Sequence, residues 1–181
     1  MSHDQYITPC FSVKNLDRNG VFTGYASVFN VVDNHNDVIL KGAFEGSIKN
    51  MSQSKTRIKM LWQHDTKEPV GVFNLIKEDE QGLYVEGKLL LDLVKGREVY
   101  ALLKSGAIEG LSIGYNPTNF SYDEVTGVRY ISDIDLREIS LVTFPANEQA
   151  KIMSVKDSRY DQDNQLLRLA MSIEESMSVL L

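Results

Sequence analysis

Two glycines bracket a serine in Gly110-Leu111-Ser112-Ile113-Gly114. This G-x-S-x-G spacing can present a serine hydroxyl on a sharp turn for attack on a carbonyl. An ordinary turn serine reads the same way, because Gly and Ser are both common in turns. A serine nucleophile needs a base that is neutral near pH 7, and the candidates are His3, His35 and His64. His3 stands at the start of the chain and His35 in the polar turn "DNHND" (33–37). His64 closes "RIKMLWQHD" (57–65), where Ile58, Met60, Trp62 and His64 alternate on one face of a strand. Its ring would stand at the rim of an apolar surface; a semi-buried structural histidine is the plainer reading. The group that orients such a base should be acidic and held by a rigid element. Glu138, inside "LREISLVTF" (136–144), suits that role, and an ion pair with a neighbouring basic residue is its plainer one. All three histidines precede Ser112, which excludes the Ser, acid, His order of an α/β-hydrolase.

Other chemistries find no support. Asp33, His35 and Asp37 occupy alternate positions of an EF-hand-like loop, but Val38 stands where glycine is required and Phe44 where the closing carboxylate is required. There is no G-x-x-x-x-G-K-[ST] and no H-E-x-x-H, and a single cysteine cannot build a zinc site of the usual spacing. No metal or cofactor is indicated. Cys10 cannot form an intramolecular disulfide, so a reduced compartment is the default. The 25 acidic and 19 basic residues are dispersed and give a net charge of −6, with no basic stripe to follow a phosphate backbone. Nucleic acid is a poor partner. The opening "MSHDQYITPC" lacks the basic and apolar regions of a secretory signal, and no apolar run approaches membrane-spanning length.

The elements that must position these residues are mostly strands, with two or three helices among them. At 181 residues and 43% hydrophobic side chains, the chain can bury a core of its own. "GVFTGYASVF" (20–29) reads as a strand, "LKGAFEGSIKNM" (40–51) as a short helix carrying Phe44 and Ile48, and 68–91 as two strands around a turn near Glu78 to Gly82. The segment 92–106 reads as a helix with Asp92 at its N-cap, Val99, Leu102 and Leu103 inward, and Gly106 as its stop. Along 136–144, Glu138, Ser140, Val142 and Phe144 share one face and Arg137, Ile139, Leu141 and Thr143 the other. This organisation gives a domain over 1–153 and a polar linker over 154–165. A C-terminal amphipathic helix over 166–181 follows, with Leu166, Ala170, Ile173, Met177 and Leu180 forming an apolar seam that suits a partner helix or the domain's own surface.

The succession "GYASVFNVVDNHNDVILKGAF", "MLWQHD", "PVGV", "GLYVEGKLLL", "GLSIGY" and "REISLVTFPAN" resembles the capsid-maturation (prohead) serine proteases of tailed bacteriophages, over roughly residues 20–153. The resemblance implies a mainly β fold with a few helices, a barrel like that of the herpesvirus assembly proteases. It also implies a triad in the order His64, Ser112 and Glu138, with Asp133 or Asp135 as competitors for the third place. The oxyanion donors would be backbone N–H groups in "FPANEQAK", at Ala146 and Asn147 or as far as Gln149. His35 departs from the commonest form of the family, where a small or polar turn residue is more usual. The implied substrates are the scaffold protein, the scaffold-like segment of the major capsid protein and the enzyme itself, within an assembling prohead in the host cytoplasm. Residues 154–181 would then be a docking helix or a pro-segment. In that setting Gly110 and Gly114 would leave room for a substrate backbone beside the serine. A non-catalytic capsid- or scaffold-binding module and a small-substrate esterase or amidase are the rival readings.

Overall fold

The computed structural model describes residues 19–53 and 57–154. His3, Cys10, most of the polar linker and the seam at 166–180 lie outside the described residues. Segments rich in Val, Ile, Tyr and Phe form strands because branched and aromatic side chains pack well on a pleated surface. In chain order the elements are β1 (Val21–Val28), β2 (Asp37–Ile39), α1 (Glu45–Gln53), β3 (Lys59–Trp62), β4 (Asp65–Glu78), β5 (Gly82–Leu89), α2 (Val94–Lys104), β6 (Gly110–Tyr122), β7 (Arg129–Val142) and β8 (Ile152–Ser154). The protein is therefore mainly β with two helices among the described residues, as expected.

The eight strands form one sheet in the order β2-β7-β3-β4-β5-β1-β8, with β6 antiparallel along the remaining edge of β7. β2 and β3 both run parallel to β7, β2 against 129–131 and β3 against 138–141. The sheet curls until its ends meet. Gly110 and Lys151 form a bridge, while the Leu111 N–H donates to the Ala150 carbonyl and the Ile152 N–H to the Glu109 carbonyl, each at 2.9 Å. Inside lie Phe22, Met60, Val85, Leu111, Ile139 and Leu141, none more than 1% exposed. Burying such side chains completely stabilises the fold by about 1.5–3 kcal/mol each before entropy is counted.

The helices pack on the strands, α1 against β7 and β4 and α2 against β4 and β5, and differ from expectation at their starts. α1 begins at Glu45 rather than near residue 40 because the Glu78 carboxylate, reaching over from β4, accepts the N–H groups of Gly42 (3.0 Å) and Phe44 (2.7 Å). α1 is fastened to β7 by Ser47, whose hydroxyl donates to the Ile134 carbonyl and accepts the Leu136 N–H. α2 has Leu93, not Asp92, at its N-cap, with no side-chain cap; Arg97 Nη1 donates to the carbonyls of Leu91 and Asp92 and so fastens the segment that enters the helix. Its end matches the expected stop. Gly106 has φ +72°, its N–H binds the Leu103 carbonyl, and the Ala107 N–H reaches back to Leu102, which together make a Schellman motif.

β7 carries the feature on which the site depends. Going down the strand, Ile134 and Leu136 are buried in the core, then Ile139 and Leu141. The inward set thus changes from even to odd numbers at Arg137. The β6–β7 register shifts at the same point, where Gly114 opposes Glu138 but Tyr115 opposes Leu136. One extra residue is accommodated here, a β-bulge that re-aims the side chains beyond it. Without it Glu138 and Ser140 would point into the barrel; with it they point to the opposite face, where both meet His64.

Candidate active site

His64 does not continue the alternation of Met60 and Trp62. Trp62 pairs with Asp65, so Gln63 and His64 are the two central residues of a tight hairpin turn between β3 and β4. Both have positive φ, 53° and 61°. That is the mirror-image turn that suits a twisted hairpin, normally built from Asn and Gly. Neither Gln nor His favours this conformation, so neighbours must impose it. They do so through β7 and the residue that follows it: the Gln63 N–H donates to the Leu141 carbonyl (3.0 Å), Gln63 Nε2 to Thr143 Oγ1 (2.8 Å), and the His64 N–H to Ser140 Oγ (3.1 Å).

The turn delivers the imidazole to Glu138, with His64 Nδ1 and Glu138 Oε1 2.5 Å apart. The other carboxylate oxygen, Oε2, accepts the Ser140 hydroxyl at 2.7 Å. An ionised carboxylate only accepts, so Nδ1 carries the proton and Nε2 keeps its lone pair. The bond to Glu138 raises the His64 pKa above its ordinary value against the opposing effect of burial, and the carboxylate's charge adds to the rise. An imidazole held in this tautomer is a base whose conjugate acid has a counter-ion in place.

Ser112 lies within β6, on extended strand rather than a sharp turn, directly across from Ser140 and 7% exposed. The bracketing glycines make room for the protein itself, not for a substrate backbone. A Cβ on Gly114 would lie 2.2 Å from Glu138 Oε1, and one on Gly110 would lie 2.8 Å from the Val142 carbonyl oxygen and 2.9 Å from Pro145 Cδ.

Ser112 and His64 line one cleft of about 220 Å³, together with His35, Tyr115, Ala146 and Asn147. Its rim is two loops tied by a hydrogen bond from the Asn34 N–H to the Ala146 carbonyl (3.0 Å). Asn147 is buried: its Nδ2 donates to the Val28 carbonyl (2.9 Å) and its Oδ1 accepts the Gln149 N–H (3.1 Å). Ala146 and Asn147 therefore face the cleft, and Gln149 does not line it. The competing acids lie elsewhere. Asp133 binds the Thr118 hydroxyl, Asp135 pairs with Arg137 at 2.5 Å, and neither lines the cleft. With Arg137 taken up by Asp135, Glu138 is not in an ion pair with its basic neighbour.

One cluster escapes sequence reading. Asp37, 3% exposed, is held by Arg129 through Nε (2.7 Å) and Nη2 (2.5 Å), and it accepts the Tyr115 hydroxyl (2.9 Å). Burial pushes the Asp37 carboxyl up, but the bonds from Arg129 and Tyr115 outweigh it and leave the carboxyl below its usual range. Burial, then the bond to Asp37, raises the Tyr115 phenol. This network builds the wall beside Ser112. Its members come from β2, β6 and β7, far apart in the chain, and no local pattern announces them.

The model of the Caudovirus prohead serine proteases matches residues 10–165 of this chain. This chain belongs to that family. The prohead protease of Enterobacteria phage HK97 is 40% identical over 141 residues, covering 77% of this chain and 61% of the relative. The chain thus spans less than two thirds of that relative's length. Among solved structures, the bacteriophage T4 capsid assembly protease superposes with a TM-score of 0.55 at 12% identity, covering 75% of this chain and 82% of its own. The varicella-zoster virus protease superposes with a TM-score of 0.44 at 11% identity, covering 73% and 62%. The T4 superposition carries the fold comparison. Among the described residues, no three His, Cys, Asp or Glu side chains are grouped to hold a metal ion, and no helix is long and apolar enough to cross a membrane.

Proposed function

We propose that the chain is a serine endopeptidase that cuts capsid-assembly proteins, with Ser112 as nucleophile, His64 as general base and Glu138 as the acid that orients it. The observation that carries the reading is the His64 Nδ1 to Glu138 Oε1 pair, 2.5 Å apart, at a cleft His64 shares with Ser112. Ser112 Oγ attacks the scissile carbonyl as His64 Nε2 takes its proton. The imidazolium then gives that proton to the leaving amine, and water hydrolyses the acyl-enzyme by the same route in reverse. Glu138 keeps the Nδ1–H tautomer and balances the imidazolium charge while staying ionised. The backbone N–H groups of Ala146 and Asn147 receive the oxyanion, on a loop that the Asn147 side chain stiffens.

The substrates are the major capsid protein, a scaffold protein and the chain itself, cut inside the assembling prohead in the host cytoplasm. Support comes from family membership and from the names of the similar proteins, a prohead protease and a capsid assembly protease. The test is co-expression with the cognate capsid and scaffold proteins, with fragments identified by mass spectrometry. The wild-type chain should release defined fragments, and Ser112→Ala should lower the rate about 10⁶-fold while leaving the chain folded. Cleavage that persists in Ser112→Ala contradicts the proposal.

A further inference from the structure

We infer that Ser140 is a positioning residue for this site, the brace that locks the Glu138 carboxylate and the His64 turn into one geometry. The inference rests on reading His64 and Glu138 as base and orienting acid. Ser140 is wholly buried, at 0% exposure, which is unusual for a serine unless its hydroxyl is fully engaged. Here it is engaged twice. The hydroxyl donates to Glu138 Oε2 at 2.7 Å and accepts the His64 backbone N–H at 3.1 Å.

These contacts close a circuit. It runs from the His64 backbone through Ser140 Oγ to Glu138 Oε2, across the carboxylate to Oε1, and back through Nδ1 to the His64 side chain. The terminal torsion of a glutamate is broad, and a carboxylate bound at Oε1 alone would be held in it by one hydrogen bond. Bound at both oxygens, it must break two to turn. The same hydroxyl restrains the backbone of a residue at φ 61°, a conformation that persists only when its surroundings over-determine it. Ser140 is also the cross-strand partner of Ser112, so the brace stands in register with the proposed nucleophile and holds the base through its backbone N–H. The β7 bulge makes this possible, because it turns Glu138 and Ser140 out of the core together.

The test uses the full chain carrying Ser140→Ala, with two readouts. The first is the titration midpoint of the His64 imidazole by NMR, assigned by comparison with His64→Ala, which requires no activity. The second is kcat and KM for cleavage of the capsid protein. Without the brace the carboxylate and the turn drift apart, so imidazolium loses support. The His64 midpoint should fall toward the ordinary histidine value, kcat should fall roughly 10- to 100-fold, and KM should stay within about twofold. Ser140→Thr keeps a hydroxyl at the same place and should restore the midpoint and most of kcat. A merely structural serine would lower melting temperature and leave the midpoint unmoved. An unmoved or raised midpoint in Ser140→Ala overturns the inference, and so does a folded Ser140→Thr as impaired as the alanine. Should Ser140→Ala fail to fold, Ser140→Cys fills the site with a weak donor. It should shift the midpoint in the same direction by less, and an unmoved midpoint there is equally fatal. Retention of cleavage by Ser112→Ala is a different failure: it removes the peptidase reading and, with it, any role of Ser140 in catalysis. A fixed His64 midpoint removes the brace alone.

Discussion

Two hairpin turns in this molecule are built in opposite ways. The turn between β6 and β7, residues 123–128, supplies its own needs: Asp123 Oδ1 accepts the N–H groups of Val125 and Thr126, and the Asp123 carbonyl accepts the Gly127 N–H. Its one left-handed position, at φ 71°, is filled by Gly127. The turn between β3 and β4 places Gln63 and His64 in left-handed conformations that neither favours, and its bonds run to β7, about 80 residues away. Local chemistry explains the first turn completely. In the second, local preference is overridden by tertiary contacts, and this is also where the imidazole meets its carboxylate. Strain of this kind survives where the surrounding structure fixes it, and functional sites are where it collects.

If the contrast is right, changes in the two turns should fall into different measurements. The largest effect belongs to His64→Ala, which removes the proposed base and should reduce cleavage about 10⁶-fold, about as much as losing Ser112. Adding Ser112→Ala to it should cost little more. Glu138→Gln comes next, at roughly 10²–10⁴-fold, because an orienting acid is less indispensable than the pair it serves. Its pH dependence sharpens the point. The active base is neutral, and the bond to Glu138 raises the His64 pKa. The wild-type rate should therefore climb with pH through a midpoint above that of an ordinary histidine. Replacing the carboxylate by an amide removes the support, so the midpoint in Glu138→Gln should move to lower pH. A midpoint that stays put would separate Glu138 from the base. The smallest effect on rate is expected at the other turn. A Cβ on Gly127 would meet nothing within 4 Å, so Gly127→Ala carries only a backbone cost. It should lower stability in denaturant titration by roughly 1–2 kcal/mol and leave the cleavage rate unchanged.

The same contrast explains what the sequence makes legible. Helix α2 follows from its spacing, and its Gly106 stop needs only that a left-handed residue is cheapest as glycine. The turn at 79–81 is readable too, since Asp79 Oδ1 accepts the N–H groups of Gln81 and Gly82. Gln63-His64 carries no such signal, because what shapes it lies on another strand. His64 therefore reads, wrongly, as the end of a strand, and Ser112 as a turn serine. Residue type and position single out Ser112, His64 and Glu138, and resemblance and chain order join them as a triad, but neither gives the turn that brings the imidazole to the carboxylate. The β7 bulge was in plain view: apolar residues at 134, 136, 139 and 141 break a two-residue rhythm by one step, just before Glu138. The Asp37, Arg129 and Tyr115 network was not, since nothing local joins residues 78 and 92 positions apart.

The central claim, that Ser112 is a nucleophile activated by the histidine of the strained turn, can be tested without knowing the substrate. The full chain would be treated with a serine-directed phosphonate near pH 8, digested, and the modified residue located by mass spectrometry. The account predicts one adduct, on Ser112, formed by the wild-type chain and lost in His64→Ala. An adduct on another serine, or equal labelling of Ser112 in His64→Ala, would contradict it.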